Sequence, residues 1–201
     1  MLYNSKIVKG NEIIVAETKS FSAVSMLGDL FDISQGVVEA PDKVSKKQFE
    51  AVGRRDVAVG AGVFVLTEAE VNRLQLSDDV KKLAIKNYLD PNDVNRYSIK
   101  SNSKKYLIYS DKELKEKIIS DKQFRNLKDH LDYHADFITS SNGPYGLHRS
   151  RESKYFDNEK ILFKGMFVTN EFALDIGKYY VGFSFLTIIR KKDISLKYLL
   201  G

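Results

Sequence analysis

The run KYYVGFSFLTIIR, from Lys178 to Arg190, constrains the fold more than any other stretch of the chain. It is dense in aromatic and β-branched residues, which favour extended backbone, so it predicts a strand. The shorter KILFKG, which begins at Lys160, predicts a second strand nearby. The sequences GAGVFVLT and KKYLIYS are also typical of strands, and the chain is therefore expected to build a β-sheet.

Short helices are predicted between these strands. Thr67 precedes Glu70 by three residues, which is the spacing of a capping box. Ser77 is expected to begin the next helix and Pro91 to end it. Helices and strands do not alternate regularly, so the sequence predicts an α+β fold with a mixed or antiparallel sheet and several short helices.

Two further helices are predicted downstream. Ser110 and Glu113 repeat the capping-box spacing, and the helix that they begin is expected to run to Ile119. The segment from Asp121 to Ile138 spaces its apolar residues so that they share one helical stripe. MLGDLFDISQGVV predicts a short helix or turn that runs into an extended segment ending at Gly36.

The chain has 201 residues, only three prolines and no repeat, which favours one integrated domain. We expect residues 1–20 to be a linker or lead-in strand, with weak strand character from Glu12 to Ala16. Residues 21–201 form the expected domain. The final DISLKYLLG looks like the start of a helix that continues beyond the sequence.

Composition narrows the classes of function. The chain has no cysteine, which excludes thiolate metal sites, cysteine nucleophiles and disulfides and favours a reducing compartment, so we expect a cytoplasmic protein. No apolar run approaches the roughly 20 residues of a membrane span, and the N-terminus lacks a signal-peptide core. No membrane partner is therefore expected.

Charge is distributed unevenly between the two halves. Residues 1–99 carry 13 Lys and Arg against 14 Asp and Glu, whereas residues 100–201 carry 19 against 13. The net charge of the second half is therefore +6. Such an asymmetry favours a polyanionic partner for that half of the protein.

Motifs that would indicate catalysis are missing from the sequence. It contains no P-loop, GxGxxG, HExxH or GxSxG, and neither the glycine-rich loop nor the Asn/Asp-Pro-Pro-aromatic motif of an adenine methyltransferase. His130 and His134 are four residues apart and could bind zinc, but no third ligand is well spaced. A solvated helix face is the better interpretation of these histidines, and no metal or cofactor is expected in this chain.

A nuclease-like arrangement is one alternative. Asp42 with Glu113 and Lys115 could supply the carboxylates and the Glu-x-Lys of a metal-dependent nuclease. Glu-x-Lys arises by chance in a chain this charged, and Glu113 is also explained as a helix cap.

Several segments, in their order along the chain, carry a resemblance that covers about Met26 to Gly201. They are MLGDLFDISQGVV, GVFVLTEAEVNRLQL, KNYLDPNDVNRYSI, YLIY, LKDHL, GPYGLHRSRE, KILFKG and DISLKYLLG. This order resembles the target-recognition domain of TaqI-like adenine methyltransferases and of fused type IIG restriction–modification and phage-defence methyltransferases. It is similar, more remotely, to specificity subunits of type I systems.

The resemblance implies a function without catalysis in this chain. In that family the recognition domain reads double-stranded DNA, while a separate catalytic domain binds S-adenosylmethionine, flips an adenine and methylates its N6. The implied partners are duplex DNA and a methyltransferase catalytic domain. A metal-dependent nuclease fragment and a protein- or RNA-interaction domain remain the alternatives.

The segment GPYGLHRSRE supplies the main candidates for DNA contact. Arg149 and Arg151 are two residues apart and would share one face of an extended segment, with His148 on the other. Arginine can bind guanine through two hydrogen bonds. Tyr145 offers a ring for stacking and a hydroxyl for phosphate; alternatively, it anchors the core and an arginine pairs with Glu152.

Two other segments supply candidates. Gln35 could read adenine or bind phosphate, and Gly36 could require a positive φ. The remaining candidates are cations and a tyrosine that could contact phosphates or simply be solvated: Arg96, Tyr97, Lys100, Lys104, Lys105 and, as weaker candidates that could also be strand-edge charges, Lys160 and Lys164.

Overall fold

The computed structural model describes residues 26–100, 104–165 and 171–200. The helices are α1 (Leu27–Leu30), α2 (Lys46–Val52), α3 (Glu68–Arg73), α4 (Asp78–Ala84), α5 (Lys112–Ser120), α6 (Arg125–Tyr133), α7 (Lys154–Asp157) and α8 (Lys197–Leu200). The strands are β1 (Phe31–Gln35), β2 (Val65–Thr67), β3 (Ile85–Leu89), β4 (Val94–Asn95), β5 (Ser98–Ile99), β6 (Lys105–Ile108), β7 (Lys160–Lys164), β8 (Phe172–Asp175), β9 (Tyr180–Val181) and β10 (Phe185–Arg190). The predicted lead-in strand lies outside the described residues.

Two four-stranded sheets organise the fold. The first sheet is antiparallel throughout, in the order β1-β10-β7-β8. The second sheet has the order β2-β6-β3-β9 and is mixed, because β3 and β9 run parallel. The strands β4 and β5 form a separate two-stranded ribbon. The chain is thus a single α+β domain, as the sequence predicts.

One large hydrophobic core joins the two sheets. It includes Phe185 and Leu162 from the first sheet and Leu107 and Leu89 from the second, all of them fully buried. The opposite face of the first sheet carries a smaller cluster, in which Leu27, Leu30, Leu199 and Leu200 of the terminal helices pack against the sheet.

Two neighbouring segments pass between the sheets side by side. β1 ends at Gln35, and Val37 then forms a parallel bridge with Gly182, which follows β9. After Gly182 the chain enters β10 of the first sheet, so the two neighbouring segments each pass from one sheet to the other. Val38 continues the ladder through an antiparallel bridge to Arg149.

Two of the three predicted helix caps are observed. The Thr67 and Ser77 side chains accept hydrogen bonds from Glu70 N and Val80 N, as the caps of α3 and α4. The prediction that Ser110 caps α5 is wrong, because Asp111 accepts from Leu114 N while the Ser110 hydroxyl donates to the carbonyl of Tyr145. The nearby carboxylate of Asp111 therefore takes the role predicted for Ser110.

Three predicted elements differ in extent from those observed. α4 ends at Ala84, not at Pro91, because β3 begins immediately and pairs with β6. The segment from Asp121 to Ile138 is divided into α6 and flanking 3-10 turns, although Phe124, Leu127 and Leu131 are buried as predicted. The aromatic run is two strands, since Gly182 marks the crossing between sheets. Within the part of the chain that is described, no helix has the length and apolarity to cross a membrane.

Candidate nucleic-acid interface

Two of the segments singled out by sequence meet at the crossing. The Arg151 guanidinium donates to Gln35 Oε1 at 3.1 Å and, at 3.5 Å, to the carbonyl of Gly36. The Gln35 amide in turn donates to the carbonyl of Phe183 at 2.8 Å. Gln35 and Arg151 are 116 residues apart in the chain, so only the tertiary fold brings them together. We call Gln35, Gly36, Arg149, Arg151 and Phe183 the junction.

Gly36 is required at the junction for a different reason from the one predicted. Among the glycines described, φ is positive at Gly53, Gly60 and Gly143 but not at Gly36. A Cβ at Gly36 would lie 2.1 Å from the Gly182 oxygen and 2.4 Å from the Val181 oxygen. The prediction of a positive φ is therefore wrong, and close approach of two backbones is the cause.

The two arginines do not share a face. Arg149 is in an extended bridge with Val38, but Arg151 has a φ of 61°, so the alternation of an extended chain is broken between them. Arg151 consequently turns towards Gln35, while the Arg149 side chain is exposed and makes no hydrogen bond or ion pair within the described residues. The prediction of a shared face is corrected: Arg149 faces solvent and Arg151 is a partly buried support.

His148 and Tyr145 make hydrogen bonds that stabilise the turn before Arg149. The Ser141 N–H donates to His148 Nδ1 at 3.3 Å, which fastens the two ends of the turn. The Tyr145 hydroxyl donates to the Asp132 carboxylate at 2.6 Å, and this hydrogen bond raises the pKa of Tyr145 to about 12. Tyr145 therefore ties the turn to α6, and its ring packs against the large core, as the alternative interpretation of this residue expected.

A second exposed group surrounds the β4–β5 turn. Tyr97 is 57% exposed and has a φ of 62°, and the Arg96 guanidinium lies 5.1 Å from the centre of its ring. Lys100 is also exposed. This cation–aromatic pair presents a planar charged surface to solvent, which is suited to a phosphate or a sugar. We call Arg96, Tyr97 and Lys100 the ribbon cluster.

Four of the candidate lysines already have carboxylate partners. Lys104 pairs with Glu68 at 3.6 Å, and Lys105 pairs with Asp90. Lys164 pairs with Glu171 at 2.5 Å and is buried. Phosphate contact by these lysines would require competition with an existing ion pair.

Lys160, the fourth of them, is buried completely. Its ammonium pairs with Asp175 at 2.5 Å and donates to the carbonyl of Phe156 at 2.6 Å. Burial lowers the pKa of this ammonium, and Asp175 opposes that effect. The prediction that Lys160 contacts DNA is wrong for this conformation, because no phosphate can reach its ammonium; the charge holds β7 to β8.

The junction and the ribbon cluster lie at opposite edges of the first sheet. Gln35 pairs with Leu186, Leu186 with Phe163, and Phe163 with Phe172. Phe172 O then accepts from Tyr97 N at 2.7 Å. Three strand spacings separate Gln35 from Phe172, or about 14 Å. The sequence candidates therefore form two groups connected by one row of the sheet.

The two helical histidines have structural roles. His130 Nε2 donates to the carbonyl of Val63 at 2.9 Å, and His134 Nδ1 donates to the carbonyl of His130 at 2.9 Å. His134 is buried, and desolvation lowers the pKa of His130 to about 4. The predicted solvated face is therefore wrong, since these rings satisfy backbone carbonyls inside the fold.

The nuclease-like residues are also involved in local contacts. Glu113 pairs with Lys117 at 2.7 Å on the surface of α5. Asp42 uses its backbone carbonyl to accept from Val63, Phe64 and Val65. Among the residues described, no three His, Asp or Glu side chains are grouped so that they could hold a metal ion.

Sequence reasoning missed Phe183. Its side chain is 55% exposed, and its carbonyl holds the Gln35 amide. An aromatic residue directly after Gly182, in a run otherwise interpreted as one strand, was the signal that could have found it. It lies in the short segment between β9 and β10, where the strand periodicity does not apply.

No family model matches this chain, and no curated protein is similar to it in sequence. The resemblance to methyltransferase recognition domains therefore stays a prediction from the order of its motifs.

Proposed function

We propose that this chain is a sequence-specific recognition domain for double-stranded DNA, which positions a target for a separate N6-adenine methyltransferase domain. The observation that carries the proposal is the junction. There Arg151 and the carbonyl of the exposed Phe183 hold Gln35, and the exposed Arg149 lies two residues before Arg151. The ordered resemblance to target-recognition domains supports the same function.

Arg149 is the proposed base reader. Its guanidinium is exposed, so both outer nitrogens can donate to O6 and N7 of a guanine in the major groove. Its backbone is fixed in two hydrogen bonds with Val38, at 2.9 and 3.1 Å, so only the side chain needs to be ordered on binding. An arginine with fixed backbone is suited to specific contact because less entropy is lost when it binds.

Gln35 has a positioning role in this proposal. Its amide nitrogen and its amide oxygen are both occupied within the protein, by Phe183 O and Arg151 respectively. Reading adenine directly would have to use the remaining N–H and lone pair of an amide whose orientation these two bonds fix. Gln35 instead fixes the segment that presents Phe183, whose exposed ring can contact a thymine methyl group or a sugar.

The ribbon cluster is the proposed backbone contact. It lies one hydrogen-bonded step beyond Phe172, or about 19 Å from Gln35 across the sheet, which is less than the roughly 34 Å of one helical turn of DNA. Arg149 in the groove and Arg96 at its edge can therefore bind one duplex together. Arg96 and Lys100 would fix the position of the duplex without reading its sequence.

The same proposal includes the partners of the chain. The methyltransferase domain would bind S-adenosylmethionine and perform the transfer, while this chain contributes no catalytic residue. A domain that serves the methylation of cellular DNA would work in the cytoplasm, which agrees with the absence of cysteine from the sequence.

The test is selection from a randomised pool of duplex DNA at low salt, followed by sequencing. The wild-type chain is expected to enrich one short motif. Arg149→Ala should bind but lose discrimination at one position, by roughly tenfold to a hundredfold, which corresponds to about 1–3 kcal/mol. The loss follows from removing the side chain that contacts the base edge.

Arg55→Ala is the matched control, because Arg55 is an exposed arginine on the segment after α2 and outside both proposed contact groups. It should enrich the wild-type motif with unchanged preference. Selection of the same motif by Arg149→Ala, with equal discrimination at every position, would contradict the assignment of Arg149. Tighter binding of a randomised RNA pool than of the duplex pool, under the same conditions, would favour an RNA-binding domain instead.

A further inference from the structure

A cleft of about 590 Å³ lies beside the second sheet, and its lining includes no residue of the junction or the ribbon cluster. Four lysines line it: Lys81 and Lys82 from the last turn of α4, Lys86 from β3 and Lys178 from the turn before β9. Asn87 and Tyr106 form part of its wall. We call this the lysine cleft.

The lysine cleft has an excess of positive charge. Its acidic residues are Glu68 and Asp157. Glu68 already pairs with Lys104 at 3.6 Å, and Asp157 accepts a hydrogen bond from the Tyr180 hydroxyl at 3.0 Å. Within the described residues none of the four lysines forms an ion pair, and Lys86 donates to the carbonyl of Lys82 at 3.0 Å. The lysines are therefore accessible to an anion.

The fold holds these lysines together. The parallel register of β3 and β9 pairs Tyr88 with Tyr180, and Lys86 and Lys178, each two residues before one of these tyrosines, both line the cleft. Lys178 has a φ of 56°, a conformation that lysine seldom adopts. The buried Asp175 carboxylate accepts from Gly177 N at 2.7 Å and Tyr179 N at 2.9 Å, and so fixes this turn.

We infer that the lysine cleft binds the phosphate backbone of the same duplex, beyond the bases that the junction reads. This inference rests on the proposed function. Lysine ammonium groups act as point charges on phosphate, while the Tyr106 hydroxyl and the Asn87 amide are neutral donors suited to phosphate oxygens. The cleft contributes affinity without sequence preference.

The position of the cleft is compatible with one continuous duplex. The ladder runs from β3 to β9, then to Val37 and Val38, and then to Arg149. Three strand spacings, about 14 Å, therefore separate β3 from Arg149 across the sheet. One helical turn of DNA is about 34 Å long, so a single duplex can extend from the junction to the cleft.

The experiment measures the salt dependence of binding to a duplex that carries the selected motif. The variant is Lys82→Ala with Lys178→Gly, because glycine keeps the positive φ at position 178 while removing the charge. The slope of log affinity against log salt should become shallower by about 2, or about one for each phosphate that the variant no longer neutralises. The preferred motif should be unchanged.

Lys47→Ala with Lys122→Ala is the matched control. It removes the same charge from two exposed lysines outside the cleft and should leave the slope within about 0.5 of the wild-type value. Thermal unfolding of all three proteins verifies that each is folded. An unchanged slope in the cleft variant, or an equal change in the control, would overturn the inference.

These outcomes separate the inference from the proposed function. An unchanged slope in the cleft variant, together with relaxed selectivity in Arg149→Ala, means that the junction reads DNA and the cleft does not contact it. Absence of duplex binding by the wild-type chain at low salt would contradict both.

Discussion

At the scale of single residues, Gly36 shows how the close approach of a second backbone excludes any side chain at a position. The sequence identifies the position, because a glycine ends an extended segment, but the relevant neighbours are Val181 and Gly182, far along the chain. Gly28, in α1, provides the contrast, since no atom lies within 4 Å of a Cβ built there. Glycine is required at position 36 because another backbone approaches closely, and it is not required at position 28.

Gly36→Ala is expected to destabilise the protein by about 3 kcal/mol or more, because the new methyl group overlaps two backbone oxygens that cannot move separately. Gly28→Ala should instead be neutral or stabilising by roughly 0.5–1 kcal/mol, since alanine is the better helix former. Urea unfolding of both variants measures the difference. Equal stability of the two would show that the crossing can relax.

At the scale of elements, β7 and β8 are joined by a charge as well as by their ladder. Lys160 and Asp175 are directly paired in register and form an ion pair that is fully buried. Removing one partner of such a pair leaves the other charge buried without compensation. The surface pair of Lys154 and Glu152, at 3.1 Å, is solvated and should contribute little.

Lys160→Met is expected to destabilise the protein by about 3 kcal/mol, because Asp175 loses its counter-ion inside the core. Lys154→Met should change the free energy of unfolding by less than about 1 kcal/mol. Adding Asp175→Asn to Lys160→Met should restore part of the loss. Denaturant unfolding tests all three, and a smaller effect of Lys160→Met than of Lys154→Met would refute the stabilising role of the buried pair.

Elements were predictable where their signals are local. The caps of α3 and α4 depend on residues three positions apart, and both are confirmed. The end of α4 was not predictable from Pro91, because pairing of β3 with β6 determines it. The run from Lys178 to Arg190 was predicted as one strand because its composition does not show that Gly182 must approach Gly36.

At the scale of the whole molecule, Glu39 connects the bridge between Val38 and Arg149 to the second sheet. Its carboxylate is buried and accepts a hydrogen bond from the Tyr88 hydroxyl at 2.8 Å. Burial raises the pKa of Glu39 to about 7, with the Tyr88 hydrogen bond lowering it and the Asp42 charge adding to the increase. Glu39 therefore keeps its proton in the folded protein at a pH where the unfolded chain has released it.

Glu39→Gln should remove a pH dependence of stability. The pKa of Glu39 in the folded state exceeds the ordinary value of 4.5, so its favourable contribution is complete below pH 4.5 and is lost as pH rises to about 7. The free energy of unfolding of the variant, relative to that of wild type, should increase by on the order of 3 kcal/mol between pH 4.5 and 8. Urea unfolding across this range measures the gain.

The exposed Glu50→Gln is the control for this comparison. A stability difference between Glu39→Gln and wild type that is constant with pH would mean that the Glu39 carboxyl does not titrate between the two states. The amide of the variant can still accept from Tyr88, so a constant offset alone does not count as support.

The candidate site was less predictable than the fold class. Local patterns identified GPYGLHRSRE and ISQGVV separately, but the contact of Arg151 with Gln35 depends on packing across 116 residues. The same separation explains why Lys160 was misassigned, since burial of a lysine depends on an acid that arrives with another strand. The lysine cleft had no local signal, because its members come from α4, β3 and a distant turn.

The crossing at Gly36 and Gly182 affects the entropy that would be lost when a partner docks. Two adjacent segments belong to both sheets, and the backbones of Gln35 and Arg149 are fixed on either side of that crossing. Neither sheet can shift without breaking hydrogen bonds that the crossing segments make between them. The surface around Arg149 is thus assembled when the chain folds, and docking would require almost no loss of backbone entropy.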